Sequence, residues 1–237
     1  MLTQHPRRNV RQVAHQAMSA VALLFLAARP ASAQPTTNTV RASTADNSAA
    51  VVSEPADRTW SFSASAYTYI VPDSREYVQP TFTADRDWLH LEARYNYEDL
   101  ETGSAWVGYN FGGGGKLAWE LTPMLGGVFG ETTGIAPGYK GSLSWWKLEL
   151  YSEGEYVIDP GDSSGSFFYN WSELTLAPVD WFRFGLVTQR TRAYETDRDV
   201  QRGLLAGFSY KRVNLTTYVL NLDESEPTVV VAVGVEF

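Results

Sequence analysis

The sequence predicts an all-β chain, an antiparallel up-and-down transmembrane β-barrel of about twelve strands, with ten or fourteen as the alternatives. Three observations carry that prediction. Apolar and polar residues alternate with period two from Trp60 to Phe237, and no window shows a 3.6-residue apolar stripe. The alternating segments are about ten residues long, the length of a tilted bilayer span. The links between them are long and short in turn.

The alternation is cleanest over residues 88–98, where Leu89, Leu91, Ala93, Tyr95 and Tyr97 oppose His90, Glu92, Arg94, Asn96 and Glu98. Near the end of the chain, Val229, Val231, Val233, Val235 and Phe237 oppose Val230, Ala232, Gly234 and Glu236. Over residues 147–156, Lys147, Glu149, Tyr151, Glu153 and Glu155 oppose Leu148, Leu150, Ser152, Gly154 and Tyr156. A soluble sandwich alternates too, with its apolar face as core and its charged face in water. In a transmembrane barrel the apolar face meets lipid and the polar face lines the interior.

Segment lengths and links favour the barrel. Strands are expected near 60–71, 78–84, 88–97, 105–111, 116–125, 135–144, 147–157, 167–176, 181–191, 202–210, 214–222 and 228–237. Twelve such strands leave about five residues per connection, and an even number brings both ends of the barrel to one side. The links PDSREY, EDLETGS, the stretch around Glu131, DPGDSSGS, ETDRDVQ and DESEP are long and acidic, whereas ADRD, GGGG, Trp145-Trp146, PVD and KRV are tight. Long outer loops and short periplasmic turns are the pattern of an outer-membrane barrel. Trp60, Trp88, Trp145, Trp146 and Trp181 fall beside the first strand's start or the short turns, which predicts an aromatic girdle at one height.

Ahead of the barrel (59–237) the reading is an address and a leader. Arg7, Arg8 and Arg11 precede the apolar run 18–28, and Ala31-Ser32-Ala33 forms an A-x-A site, so residues 1–33 read as a cleaved signal peptide. The run breaks at Arg29-Pro30, too short for a membrane helix. Residues 34–58 contain no aromatic residue and are rich in Thr, Ser, Ala and Pro, the composition of a disordered periplasmic leader. Cleavage would leave His90 as the one histidine. With no Cys, thiolate metal sites and disulfide scaffolds are excluded, and a net charge of −8 has the wrong sign for a nucleic-acid partner.

The ending VVVAVGVEF resembles the C-terminal strand of Gram-negative outer-membrane β-barrels, in which alternating apolar residues close on a terminal Phe. The resemblance implies a chain of the cell outer membrane, with Phe237 as part of an assembly signal read by the barrel-assembly machinery. It implies outer-membrane lipid and lipopolysaccharide as surroundings, and it names no subfamily.

Chemistry-bearing motifs are sparse, and the reading is not an enzyme, with no cofactor and no metal centre. A Ser–His lipid hydrolase needs a base beside the nucleophile, and His90 has no such pattern around it. The run Gly112–Lys116 continues with Leu117, where a phosphate loop needs Ser or Thr, and reads as a turn. Attention therefore falls on the interior. Parity directs Glu92, Arg94, Glu120, Lys140, Lys147, Glu149, Glu153, Glu155, Glu173, Arg183, Gln189 and Glu236 inward, with Tyr151 and Asn96, and leaves Asn170 and Ser172 facing lipid. The expected function is a narrow channel for small solutes or ions with a charged, acid-rich lumen. The alternative is a closed structural or interaction barrel braced by interior salt bridges. The acidic long links would suit divalent cations bridging to anionic lipopolysaccharide, although none has full calcium-loop spacing.

Overall fold

A computed structural model describes residues 59–72, 75–161, 165–193, 199–223 and 226–237. The signal peptide and leader readings, 1–33 and 34–58, lie outside the described residues, as do parts of four acidic links (73–74, 162–164, 194–198 and 224–225).

The described chain is a succession of strands: β1 (Ser61–Ile70), β2 (Tyr77–Arg86), β3 (Leu89–Tyr95), β4 (Thr102–Tyr109), β5 (Phe111–Gly114), β6 (Leu117–Gly130), β7 (Gly134–Trp145), β8 (Leu148–Val157), β9 (Phe167–Val179), β10 (Phe182–Ala193), β11 (Asp199–Tyr210), β12 (Val213–Leu220) and β13 (Thr228–Glu236). Neighbours in sequence pair antiparallel, and β13 pairs with β1 from Ser63↔Glu236 to Ile70↔Val229, which closes the sheet. β4 and β5 are two halves of one stave: β4 pairs with residues 124–130 of β6 and β5 with residues 118–121. The result is a closed barrel of twelve staves, in which β5, paired with β6 alone, keeps one free edge at the short-turn end.

The break between the halves has a local cause. Asn110 turns its amide to the Trp88 carbonyl (2.7 Å), donates from Nδ2 to Asp85 Oδ1 (2.9 Å) and accepts from Thr122 Oγ1 (2.7 Å). Its amide and its side chain together thereby meet three groups at the break.

All the expected segments form strands, and the short links close in two residues each: Asp87-Trp88, Gly115-Lys116, Trp146-Lys147, Asp180-Trp181 and Lys211-Arg212. Asp87, Trp146 and Lys211 adopt positive φ (53°, 55° and 55°), the backbone twist that a two-residue hairpin link requires. Two expectations change. The stretch around Glu131 is not a long loop, because β6 and β7 extend to Gly130 and Gly134 and leave three residues between them. Thr132 ties this tip to its neighbours by donating from its amide to Thr102 Oγ1 (3.1 Å) and from its hydroxyl to Asp99 (2.9 Å). The strand starting near Trp88 ends at Tyr95, because Asn96 takes φ 58° and its side chain bonds the Val78 carbonyl and the Glu101 amide. Asn96 is therefore a turn residue, not a lumen residue, and Tyr97 swings off the apolar face into the interior.

Faces follow parity. Val233, Leu215, Phe208, Leu204, Leu186, Leu150, Leu143, Leu125, Val107 and Phe82 are exposed on the outer wall. The core lies inside the barrel as two groups. One gathers Tyr69, Tyr169, Trp171, Val187, Leu205, Tyr218, Leu220, Val230 and Ala232; the other gathers Trp106, Met124, Val128, Ala136 and Val157.

Candidate functional site

The interior changes character with height. At the short-turn end lies a cavity of about 820 Å³, walled by Asp85, Asp87, His90, Asn110, Glu120, Thr122, Ser142, Ser144, Glu149 and Tyr151, with Phe111 and Trp119 at its margin. A second cavity of about 300 Å³ shares Lys140, Glu149 and Tyr151 with it and reaches past Ser63, Ser65, Thr81 and Thr83 to Glu153, Glu173 and Arg183. Small hydroxyl side chains leave this room, since Ser and Thr at inward positions fill far less of a barrel's cross-section than aromatic residues.

Deeper in, the charges close ranks. His90 lies between Asp85 (Nδ1 to Oδ1, 2.7 Å) and Glu92 (Nε2 to Oε2, 2.9 Å). Glu92 also accepts from Arg94 Nε (2.5 Å) and from the Lys140 ammonium. Arg94 reaches across the barrel to donate from Nη1 to Glu155 Oε2 (2.7 Å), and Glu98 lies 3.8 Å from the same nitrogen. The guanidinium is held between the Tyr97 and Trp106 rings, 4.2 and 4.6 Å from their centroids. Such stacking suits the flat, weakly hydrated arginine cation. Trp106 has space because Gly126 faces it: a Cβ there would stand 2.4 Å from the indole. Glu98, in the link beyond β3, has its carboxyl pushed above the usual range by burial, while Arg94 and the Ser104 hydroxyl (2.5 Å) favour the ionised form.

A second network centres on Glu173, which accepts from Trp171 Nε1 and Tyr218 OH (both 2.9 Å) and from Arg183 Nη1 (3.1 Å). Arg183 also donates to Thr216 Oγ1 (3.1 Å). Glu153 takes Tyr97 OH (2.5 Å) and Tyr151 OH (2.7 Å). These bonds matter because an ionised carboxylate removed from water must be paired or bonded on nearly every lone pair. Beyond this layer, toward the long links, the interior is packed: Tyr218, Leu220, Val187 and Val230 are at most 1% exposed. Tyr67, Trp171 and Tyr218 meet ring to ring at 5.1–6.4 Å.

Of the residues singled out in the sequence, Glu92, Arg94, Lys140 and Glu153 converge on the first network, with Glu155 beside them. Glu173 and Arg183 form the second. Glu149 and Tyr151 border both cavities, and Glu120 stands on the wall of the larger one. Gln189 lies in the packed half, where its Oε1 is buried without a partner among the described residues. Lys147 does not line the lumen. It is part of the Trp146-Lys147 turn, where its exposed ammonium donates to the Pro178 carbonyl and caps the rim. Trp60, Trp88, Trp145, Trp146 and Trp181 are exposed at the short-turn end, joined there by Tyr109, Phe111, Phe182 and Phe208 in ring contacts. Phe237 donates its amide to the Phe62 carbonyl (2.9 Å), beside that ring of aromatics.

Asn170 and Ser172 do face outward, and they meet their polar needs within the wall. Asn170 Nδ2 reaches Tyr139 OH and Ser152 Oγ (each 3.1 Å) and the Glu153 carbonyl (2.8 Å), while the Ser152 and Ser172 hydroxyls are 2.9 Å apart. Internal pairing of this kind is what hydrocarbon surroundings demand.

Sequence reasoning missed Asp85, Tyr97, Trp106 and the aromatic group Tyr67, Tyr69, Tyr169, Trp171 and Tyr218. A signal was present for most of them: Tyr67 and Tyr69 share parity with Ser63 and Ser65, and Trp171 with Glu173. Among the described residues, no group of three or more His, Asp or Glu side chains could hold a metal ion.

No protein family and no curated protein matches the sequence. Among solved structures, the chain is similar to the KdgM porin, with a TM-score of 0.53 and 9% identity over 74% of this chain and 99% of that one. It is equally similar to the KdgM porin in complex with disordered oligogalacturonate, at 0.51 and 9% identity over 75% and 99%. At such identity the likeness is one of fold: this chain is a closed antiparallel barrel, the fold it shares with the KdgM porin.

Proposed function

We propose that this chain is an outer-membrane barrel forming a narrow channel for small solutes, with its short turns in the periplasm and its long links outside. The observation that carries the reading is the polar cavity that opens at the short-turn mouth and continues, through Lys140, Glu149 and Tyr151, to the Arg94 and Glu173 networks. In a water-filled mouth, carboxylates raise the local concentration of cations. Asp85, Glu120 and Glu149 exceed Lys140 there, so cations are the favoured solutes. The KdgM porin is described with a polyanionic saccharide, oligogalacturonate, and an acidic vestibule suits the opposite charge.

The second reading is a closed, braced barrel, and it is favoured by the packing of Tyr218, Leu220, Val187 and Val230 across the long-link half. Planar-bilayer recording of the refolded protein separates the two. A channel gives a small conductance whose reversal potential in a salt gradient indicates cation preference and which E120Q/E149Q weakens. Silence above the lipid baseline favours the closed barrel, and anion preference contradicts the acidic-vestibule reading.

A further inference from the structure

The outer wall carries few charges, and their placement is uneven. Among the described residues, the charged positions on the outward faces of the strands are Arg86, Arg190, Arg192 and Arg202, and no acid takes an outward register position. Outward parity follows from register. Arg190 and Arg202 alternate with inward Val187 and Leu205 on β10 and β11, and share faces with the exposed Leu186 and Leu204. Arg86 sits in the short-turn ring of aromatics, 5.8 Å over Trp60. The other three lie toward the opposite end of the wall, where Arg192 follows Arg190 on the same face of β10.

Height and spacing make Arg190 and Arg202 a pair. Arg190 is opposite Val200 and Arg202 opposite Thr188, so the two arginines are diagonal neighbours, about 7–8 Å apart at their backbones and within reach of one ligand. Arg190 is eight residues beyond Phe182 of the aromatic ring. At about 3.3 Å per residue and a tilt of about 40°, that is roughly 20 Å of height, near the far border of an apolar band about 25 Å tall. The Arg190 guanidinium lies 5.6 Å over Phe168, and its Nε is shielded from solvent without a hydrogen-bond partner among the described residues. A guanidinium stacked on an apolar wall, with a second arginine as its diagonal neighbour, matches an anion with several oxygens.

We propose that Arg190 and Arg202 clamp a lipid A phosphate of outer-leaflet lipopolysaccharide against the β10–β11 wall. The identity of the lipid rests on the reading above that the long links face outside. The acidic links would repel a polyanion, whereas this sector of the wall draws it in, fixing which side of the barrel meets the lipid headgroup.

The test is native mass spectrometry of the refolded full chain with bisphosphorylated lipid A and with the same lipid after phosphate removal, folding being checked by heat-modifiable migration. The wild type is expected to retain the phosphorylated form about ten-fold better, R190Q/R202Q under about two-fold better, and R190K/R202K in between. If the arginines instead serve only to brace the β10–β11 wall, R190Q/R202Q lowers the unfolding midpoint and leaves the phosphate preference unchanged, which overturns the proposal. Orientation is read separately by T133C in intact cells with a membrane-impermeant maleimide. Labelling supports the outer-leaflet assignment. A shielded thiol overturns the topology and with it the choice of lipid, even where the phosphate preference in detergent persists.

Discussion

Near the short turns the inward side chains Asn110, Glu120, Ser142 and Ser144 line an open cavity, whereas near the long links Val187, Tyr218, Leu220 and Val230 are packed almost without exposure. The same staves build both regions. β1 runs inward from Ser63 and Ser65 to Tyr67 and Tyr69, and β9 runs from Thr175 and Glu173 to Trp171 and Tyr169. The pattern of faces is thus constant while inward side-chain size changes with height, and size decides whether a barrel of this width holds water or a core. The charged networks sit at the border. Arg94 and Glu173 have aromatic walls on one side and the polar cavities on the other, so their ion pairs act where the dielectric falls and unpaired charge is most costly.

Breaking that border carries the largest expected effect. Arg94→Met leaves Glu92 and Glu155 buried without their shared cation, and should lower unfolding free energy by about 3–5 kcal/mol. Urea titration of the refolded barrel in lipid vesicles measures this, and adding Glu92→Gln and Glu155→Gln to the same chain should recover part of the loss. In the packed half, Leu220→Ala should cost about 2–5 kcal/mol through lost burial and the cavity left behind. A cost under about 0.5 kcal/mol would show that this half is loosely filled. Tyr218→Phe removes one bond to an ionised carboxylate and should cost about 1.5–3 kcal/mol. Glu120→Gln in the open half should change stability by no more than about 0.5 kcal/mol; a larger loss would show that the vestibule is structural.

Strand positions were legible because alternation and two-residue turns are local: Leu89 to Tyr95 and Lys211-Arg212 declare themselves without reference to the rest of the chain. Much of the charged interior was legible for the same reason, since parity alone turns Glu92, Arg94, Lys140, Glu153 and Glu173 inward. Parity says nothing about what lies across the barrel. That Arg94 meets Glu155, or that Trp106 fits because Gly126 faces it, depends on the register of staves distant in sequence. Tyr97 and Lys147 were misread at strand ends, where one residue with positive φ, Asn96 or Trp146, ends the alternation that the reading extended. The outward arginines escaped notice because a charge on a strand is ordinarily assigned to the lumen, and β10 and β11 carry charges on both faces.

The division of the interior into a wet half and a dry half is tested most directly by thiol accessibility. The chain has no Cys, so single cysteines report without background. Ser144→Cys, on the open cavity, and Ala232→Cys, in the packed group, are treated with a small hydrophilic maleimide in the folded barrel and again after urea denaturation. The account predicts that Ser144→Cys reacts in the folded state at close to its denatured rate, and that Ala232→Cys reacts about 100-fold more slowly until the barrel unfolds. Equal folded-state rates at the two positions would contradict it.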